Sequence, residues 1–393
     1  MRHLLRRLLQ ILAVLVLLAA ATALWKREEI ARLWAVNSLF QAENIVQNFS
    51  HMDRLFLTRP LSRGEGPVSA LPPGPPATLP PEAEQWIKDR AVTGLVMLKN
   101  GQLVHESYYL GTGPEDLRIS WSVAKSFLAA LFGVLQAEGA FGSLDDQVVT
   151  YAPALKGSAY DGATIRDVLT MSSGAAFNED YLDFNSDINR MGRVLALGGS
   201  MDGFAAGLTA RAGDPGARFH YVSIDTHVIG MVIRGATGKD IPELLEDRIL
   251  APLGLEAAPY YLTDGEGVSF VLGGLNLRTR DYARFGQMIL QGGKWQGIQV
   301  VPEDWVIAMT SPQAKDGADY GFQWWIPADA APGEVMARGI YGQYIYINPG
   351  LGVVIAVNAA DRGFEEPGVD EANIAMFRAL AAGLSAEGAG ASP

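Results

Sequence analysis

Apolar positions along this chain change rhythm three times. Leu8 to Trp25 is an 18-residue run, apolar except for Gln10 and Thr22. Residues 26–58 then carry a mildly amphipathic helical spacing, with Ile30, Leu33, Trp34, Leu39, Phe40 and Ile45 on one side. Pro60 to Pro81 holds eight prolines in 22 residues. Proline at that density removes backbone donors and favours extended polyproline geometry, so this stretch reads as a linker that spaces or wraps the following domain and not as core. From residue 82 the pattern becomes globular. Val92–Leu98 and Leu103–Tyr109 read as strands joined by Asn100-Gly101, the pair best able to supply the positive φ angles of a tight hairpin. Helical spacing follows at Ser122–Glu138, closed by Gly139, and at Thr164–Met171, Asp225–Arg234 and Pro242–Leu250. Strand patterns return at Gly333–Arg338, Gln343–Asn348 and Gly352–Asn358, with Pro349-Gly350 as a turn, before a helix around Glu371–Leu384. Hairpins at both ends of a helical middle predict an α+β fold with an antiparallel sheet flanked by helices, not a doubly wound parallel one. The expected division is 1–25 as a membrane helix, 26–81 as helical stalk and Pro-rich linker, 82–384 as one catalytic unit, and 385–393 as a flexible tail. Within the unit, sheet is expected from 82–118 and 265–384 and a helical region from 119–264.

Charge narrows the function classes. A net charge of −12 argues against a nucleic-acid partner, because phosphate-backbone binders concentrate Lys and Arg. Zero cysteines exclude disulfides, thiolate metal sites and a Cys nucleophile. Arg2, Arg6 and Arg7 precede the apolar run. The positive-inside rule keeps those arginines in the cytoplasm and places everything after Trp25 outside. The expectation is an exported protein on the periplasmic or extracytoplasmic face, held to the inner membrane by residues 8–25. The run is longer than a usual cleaved signal core, so retention is preferred over cleavage.

The candidate chemistry lies at Ile119–Leu135, where Phe127 to Leu135 has no polar face and predicts a buried helix. Lys125 sits in its first turn. Burial and a helix N-terminus both lower an ammonium pKa, which makes a neutral amine available as a general base. Ser122 lies three residues upstream, on the same helical face, with its own N–H free of the helical ladder to meet an oxyanion. A Ser-x-x-Lys arises by chance in most long chains, and Ser120 or Ser122 also suits a simple N-cap. Two companions downstream raise the reading. Tyr221-Val-Ser223 stands on a loop before a helix, where a phenol beside a lysine can relay protons, although an aromatic there is more often packing. Arg338-Gly339-Ile340-Tyr341-Gly342-Gln343 carries glycines on a strand that let backbone approach a ligand. The bland alternative is an ordinary turn between two strands.

Taken together these residues resemble the penicillin-recognising serine hydrolases, the superfamily of class C β-lactamases, DD-peptidases and related esterases and amidases. Ser122-Val-Ala-Lys125 fits the family's Ser-x-x-Lys and Tyr221-Val-Ser223 its Tyr-x-Asn/Ser element, while Ala337-Arg338-Gly339 stands where Lys-Thr-Gly or His-x-Gly is usual. The resemblance covers about residues 85–384 and includes the phrases Leu169–Gly174, Ala251–Leu255 and Gly273–Gly286. Phe177–Tyr181 and Gly339–Gln343 resemble the branch containing 6-aminohexanoate-dimer hydrolase and its carboxylesterase relatives. It implies a β-lactamase-like fold and an acyl-enzyme on Ser122, with Lys125 and Tyr221 as general base and acid. It further implies an oxyanion hole from the N–H groups of Ser122 and Ile340, and substrate contacts from Tyr181, Ser223, Gly339 and Tyr341. The implied substrate is a small ester, an amide or a peptide-like molecule, with no cofactor or metal. Arg338 departs from the family's hydroxyl or Lys and weakens the case for strong β-lactamase activity. Glu179 precedes Tyr221, which argues against a class A deacylating role.

Rival readings fare worse. No Gly-x-Ser-x-Gly occurs, so a nucleophile-elbow triad has no candidate. His105-Glu106 lies on a strand with Tyr109 where a zinc motif needs His. The remaining alternatives are DD-peptidase or β-lactamase action on cell-wall-type substrates, and an idle relative that binds peptides in the same cleft.

Overall fold

The computed structural model describes residues 2–389. Helix α1 (Arg2–Trp25) is solvent-exposed along its length and long and apolar enough to cross a membrane. A one-residue break at Lys26 separates it from α2 (Arg27–Ser38).

The body is built on a five-stranded antiparallel sheet. Its strands are β1 (Val92–Lys99), β2 (Gln102–Tyr108), β3 (Val335–Gly339), β4 (Gln343–Asn348) and β5 (Val353–Ala359), in spatial order β2-β1-β5-β4-β3. The hairpin between β1 and β2 turns through Asn100 at φ +51° and Gly101 at φ +79°, as the Asn-Gly pair predicts. Both faces of the sheet are covered, which explains why β1 and β5 read as nearly continuous apolar runs. On one face Val96, Ile345 and Ala356 join the main core with α3 (Val123–Ala137) and α6 (Thr279–Leu290); on the other, Leu95, Tyr346 and Ile355 pack beneath α7 (Val369–Ala389) around Phe377. The helical region supplies α4 (Asp187–Ala196) and α5 (Ser223–Thr237). The architecture is the expected α+β arrangement, with an antiparallel sheet between helical layers.

Two expectations need correcting. Residues 39–61 are not a stalk: Leu39, Ile45, Phe49, Met52, Phe56 and Leu61 are buried in the main core. Leu57–Pro60 pairs antiparallel with Tyr260–Thr263, adding a strand to a second, four-stranded sheet. The Arg118 guanidinium, itself buried, donates to Val46 O at 2.9 Å and Ser50 Oγ at 2.6 Å. The proline-rich stretch wraps the body, as Leu103 N–H donating to Pro72 O and Gly74 N–H to Leu103 O show. The spacing does not mark one long helix: Ile30, Leu33 and Trp34 lie on α2, Ile45 and Phe49 on a separate short helix (Ile45–Ser50), and Leu39 and Phe40 in the turn between them. At the other end, α7 runs to Ala389, so residues 385–389 continue the helix in place of the expected tail. Residues 390–393 lie outside the described residues.

Candidate active site

Ser122 caps the N-terminus of α3, directly after Trp121, whose φ is +41°. A left-handed conformation at a bulky residue costs about 1–3 kcal/mol and is sustained only where the surroundings dictate it. Here the Trp121 ring is held between Phe49 and Phe40, at centroid distances of 5.6 and 5.9 Å. Directly after this bend, Ser122 lines the cavities of the site.

Lys125, one turn along α3, is 1% exposed. Its Nζ lies 3.0 Å from Leu272 O, 3.1 Å from Ser122 Oγ and 3.2 Å from Ser223 Oγ. The Leu272 carbonyl can only accept. Ser223 Oγ donates its proton to Glu179 Oε1 in a short hydrogen bond, so toward Lys125 it also accepts. Those two acceptors use two N–H bonds of the amine. In the neutral form the remaining tetrahedral position is the lone pair, and it faces the Ser122 hydroxyl. Desolvation lowers the Lys125 pKa to about 7, against the opposing charges of Glu179 and Asp225.

Glu179 organises the far side. Its carboxylate accepts from Ser223 N at 3.0 Å and from Tyr181 Oη at 2.7 Å as well as from Ser223 Oγ. The Tyr221 ring lies 5.4 Å from Lys125 Nζ and packs on Trp325 with centroids 5.2 Å apart. Burial and the Glu179 charge push its phenol pKa up, and hydrogen bonding to Ser122 and Ser223 opposes them only in part, so the phenol stays protonated near neutral pH. Below the site Asp225 is fully buried, accepting from Tyr160 Oη and Ser173 Oγ at 2.8 Å each. Burial lifts its pKa to about 7.

The end of β3 closes the opposite wall. A Cβ on Gly339 would lie 2.7 Å from Ser120 O and 3.0 Å from Ser122 N, so only glycine lets the strand approach the serine backbone this closely. Ile340 follows and lines the cavity beside Ser122. Tyr341 adopts φ +58° and stacks its ring on Phe40 at 4.7 Å. Two chambers meet at Ser122. One, of about 440 Å³, includes Tyr221, Trp325, Arg338, Glu365, Asp370 and Glu371. Arg338 is held there by Asp370 at 2.5 Å. The other, of about 270 Å³, is largely apolar and takes part of its wall from α2 and the residues after it, Val36, Leu39 and Phe40.

All the residues singled out in the sequence converge on this place: Ser122, Lys125, Tyr221, Ser223, Tyr181, Gly339, Ile340 and Tyr341. Three further participants lie outside that set. Glu179, whose position before Tyr221 argues against a class A deacylating role, reaches the site through Ser223; its place two residues before Tyr181 is the signal the sequence offers. The Leu272 carbonyl carries no side-chain signal. Phe40 falls in the stretch whose spacing predicts a stalk.

The model of the Beta-lactamase family matches residues 83–379. A 6-aminohexanoate-dimer hydrolase from Paenarthrobacter ureafaciens is 30% identical over 327 residues, covering 78% of this chain and 83% of that protein. Among solved structures, a Bacillus anthracis protein described as a 6-aminohexanoate-dimer hydrolase superposes with a TM-score of 0.76 at 23% identity, over 87% of this chain and 95% of its own. A D-stereospecific amidohydrolase from Streptomyces gives 0.55 at 21% identity, over 74% and 99%. These two share the fold. With the family model spanning most of the globular body, and a relative at 30% identity beside it, the chain belongs to the Beta-lactamase family.

Proposed function

We propose that this protein is a serine hydrolase that cleaves an ester or amide through an acyl-enzyme on Ser122. The observation that carries the reading is the contact of 3.1 Å between Ser122 Oγ and a buried Lys125 amine whose pKa is lowered to about 7. At and above neutral pH the amine accepts the Ser122 proton as Oγ bonds to the substrate carbonyl carbon. The resulting oxyanion is met by the N–H groups of Ser122 and Ile340, brought together by the close approach of Gly339. Collapse breaks the bond to the leaving group, which takes a proton relayed from Lys125 through the Tyr221 phenol. A water then loses its proton to the same Tyr221–Lys125 pair, attacks the acyl carbon and releases the acid, returning the proton to Ser122. Glu179 is a positioning residue in this scheme, because it fixes which way the Ser223 hydroxyl points and so where the amine lone pair points.

The relatives' names, a dimer hydrolase and an amidohydrolase, lend support to hydrolysis and to an amide as one substrate, and α1 supports an extracytoplasmic, membrane-held location. The test is a panel of p-nitrophenyl esters, short amide oligomers and nitrocefin, run on wild type beside Ser122→Ala. Turnover of the esters or amides by wild type, lost in the variant, is the expected result. Nitrocefin turnover exceeding both would favour a β-lactamase, and activity surviving in Ser122→Ala would remove the assignment.

A further inference from the structure

The two chambers that meet at Ser122 differ in chemistry, and that difference bears on which part of a substrate goes where. Tyr221, the group that delivers a proton to the departing atom, lines the charged chamber and not the apolar one. The leaving group therefore departs into the charged chamber, and the acyl portion extends into the other. That second chamber is walled by Leu39 and Phe40, by Ile188 and Met191 of α4, and by Phe270 and Leu272. Except for Phe40 these side chains are buried, and the chamber is fixed by packed elements. Phe184, of the loop before α4, also lines the chamber and stands exposed at 66%. Gly192, on α4, also lines the chamber, and a Cβ placed there meets nothing within 4 Å.

We infer that the apolar chamber is an acyl-chain subsite, so that the substrates are esters or amides of linear aliphatic acids longer than acetate, with α2 and residues 39–40 forming part of the specificity wall. This rests on the proposed Ser122 chemistry. Each methylene that enters the chamber raises kcat/KM, by up to about fourfold where it is fully buried, the equivalent of ~0.8 kcal/mol.

The experiment uses the full chain in lipid nanodiscs with p-nitrophenyl acetate, butyrate, hexanoate and octanoate, which share one leaving group. The expected result is a kcat/KM that climbs at least tenfold from acetate to octanoate. Gly192→Phe, which places a ring in the open space, is expected to reverse that ratio, while Gly192→Ala largely keeps it. A wild-type profile flat or falling with chain length overturns the subsite, and does so even where the Phe variant fails to fold. So does a Gly192→Phe protein of wild-type melting temperature whose ratio is unchanged. Failure of wild type on every ester, acetate included, strikes the Ser122 reading itself and is thereby distinguishable. Presenting the octanoate ester in buffer or in phosphatidylcholine vesicles separates a dissolved acyl donor from a membrane-borne one, and faster turnover than acetate in either form supports the assignment.

Discussion

Lys125 serves as a base only in the fraction of molecules that has lost its proton, and its surroundings set that fraction. With a pKa near 7, each pH unit below neutrality removes about a factor of ten of the neutral amine. The acid limb of kcat/KM for an ester is therefore expected to rise with unit slope toward pH 7 and level off above it. Because the Glu179 charge favours the protonated amine, Glu179→Gln lowers the Lys125 pKa further. The variant's acid limb is expected to move to lower pH. At the same time its plateau falls at least tenfold, a share of the roughly 10²–10⁴ that positioned proton transfer contributes. A pH–rate profile reads both; a limb that stays in place with only a lower plateau would contradict the electrostatic role. Ser122, Lys125 and Tyr221 were legible because a short spacing on one buried helix and a recurrent order carried them. Glu179 was not, because its part comes from a hydrogen bond to Ser223, 44 residues away in sequence.

Between β3 and the start of α3, two backbone segments approach more closely than side chains allow. Gly339→Ala places a methyl 2.7 Å from Ser120 O, so the strand or the helix start must shift. The expected outcome is a loss of about 10²–10³ in kcat, the scale of one oxyanion donor, with a smaller loss of thermal stability. Parallel activity and melting measurements check it: a variant with wild-type kcat would show that the approach is not needed. Elements with local instructions were the readable ones. The hairpin was fixed by Asn100-Gly101, and α3 by an apolar run between a capping serine and Gly139. The strand Leu57–Pro60 was unreadable, since its partner Tyr260–Thr263 lies some two hundred residues away and Pro60 suggests a linker when read alone.

Across the whole molecule, the N-terminal segment divides into an exposed helix and a part built into the core. Removing residues 2–25 takes away no buried side chain and is expected to leave the melting temperature and the ester activity of the body nearly unchanged. Phe49 is fully buried against Trp121 and Tyr341, and Phe49→Ala is expected to cost about 3–5 kcal/mol, seen as a shifted denaturation midpoint. Equal effects from the two changes would contradict the division. The covalent chemistry itself is tested most directly on the intact chain with a fluorophosphonate, reading the adduct by peptide mass spectrometry and its rate across pH. The account predicts a single adduct on Ser122, absent from Ser122→Ala, forming faster as pH rises through about 7. An adduct on another serine, or none on wild type at any pH, would contradict it.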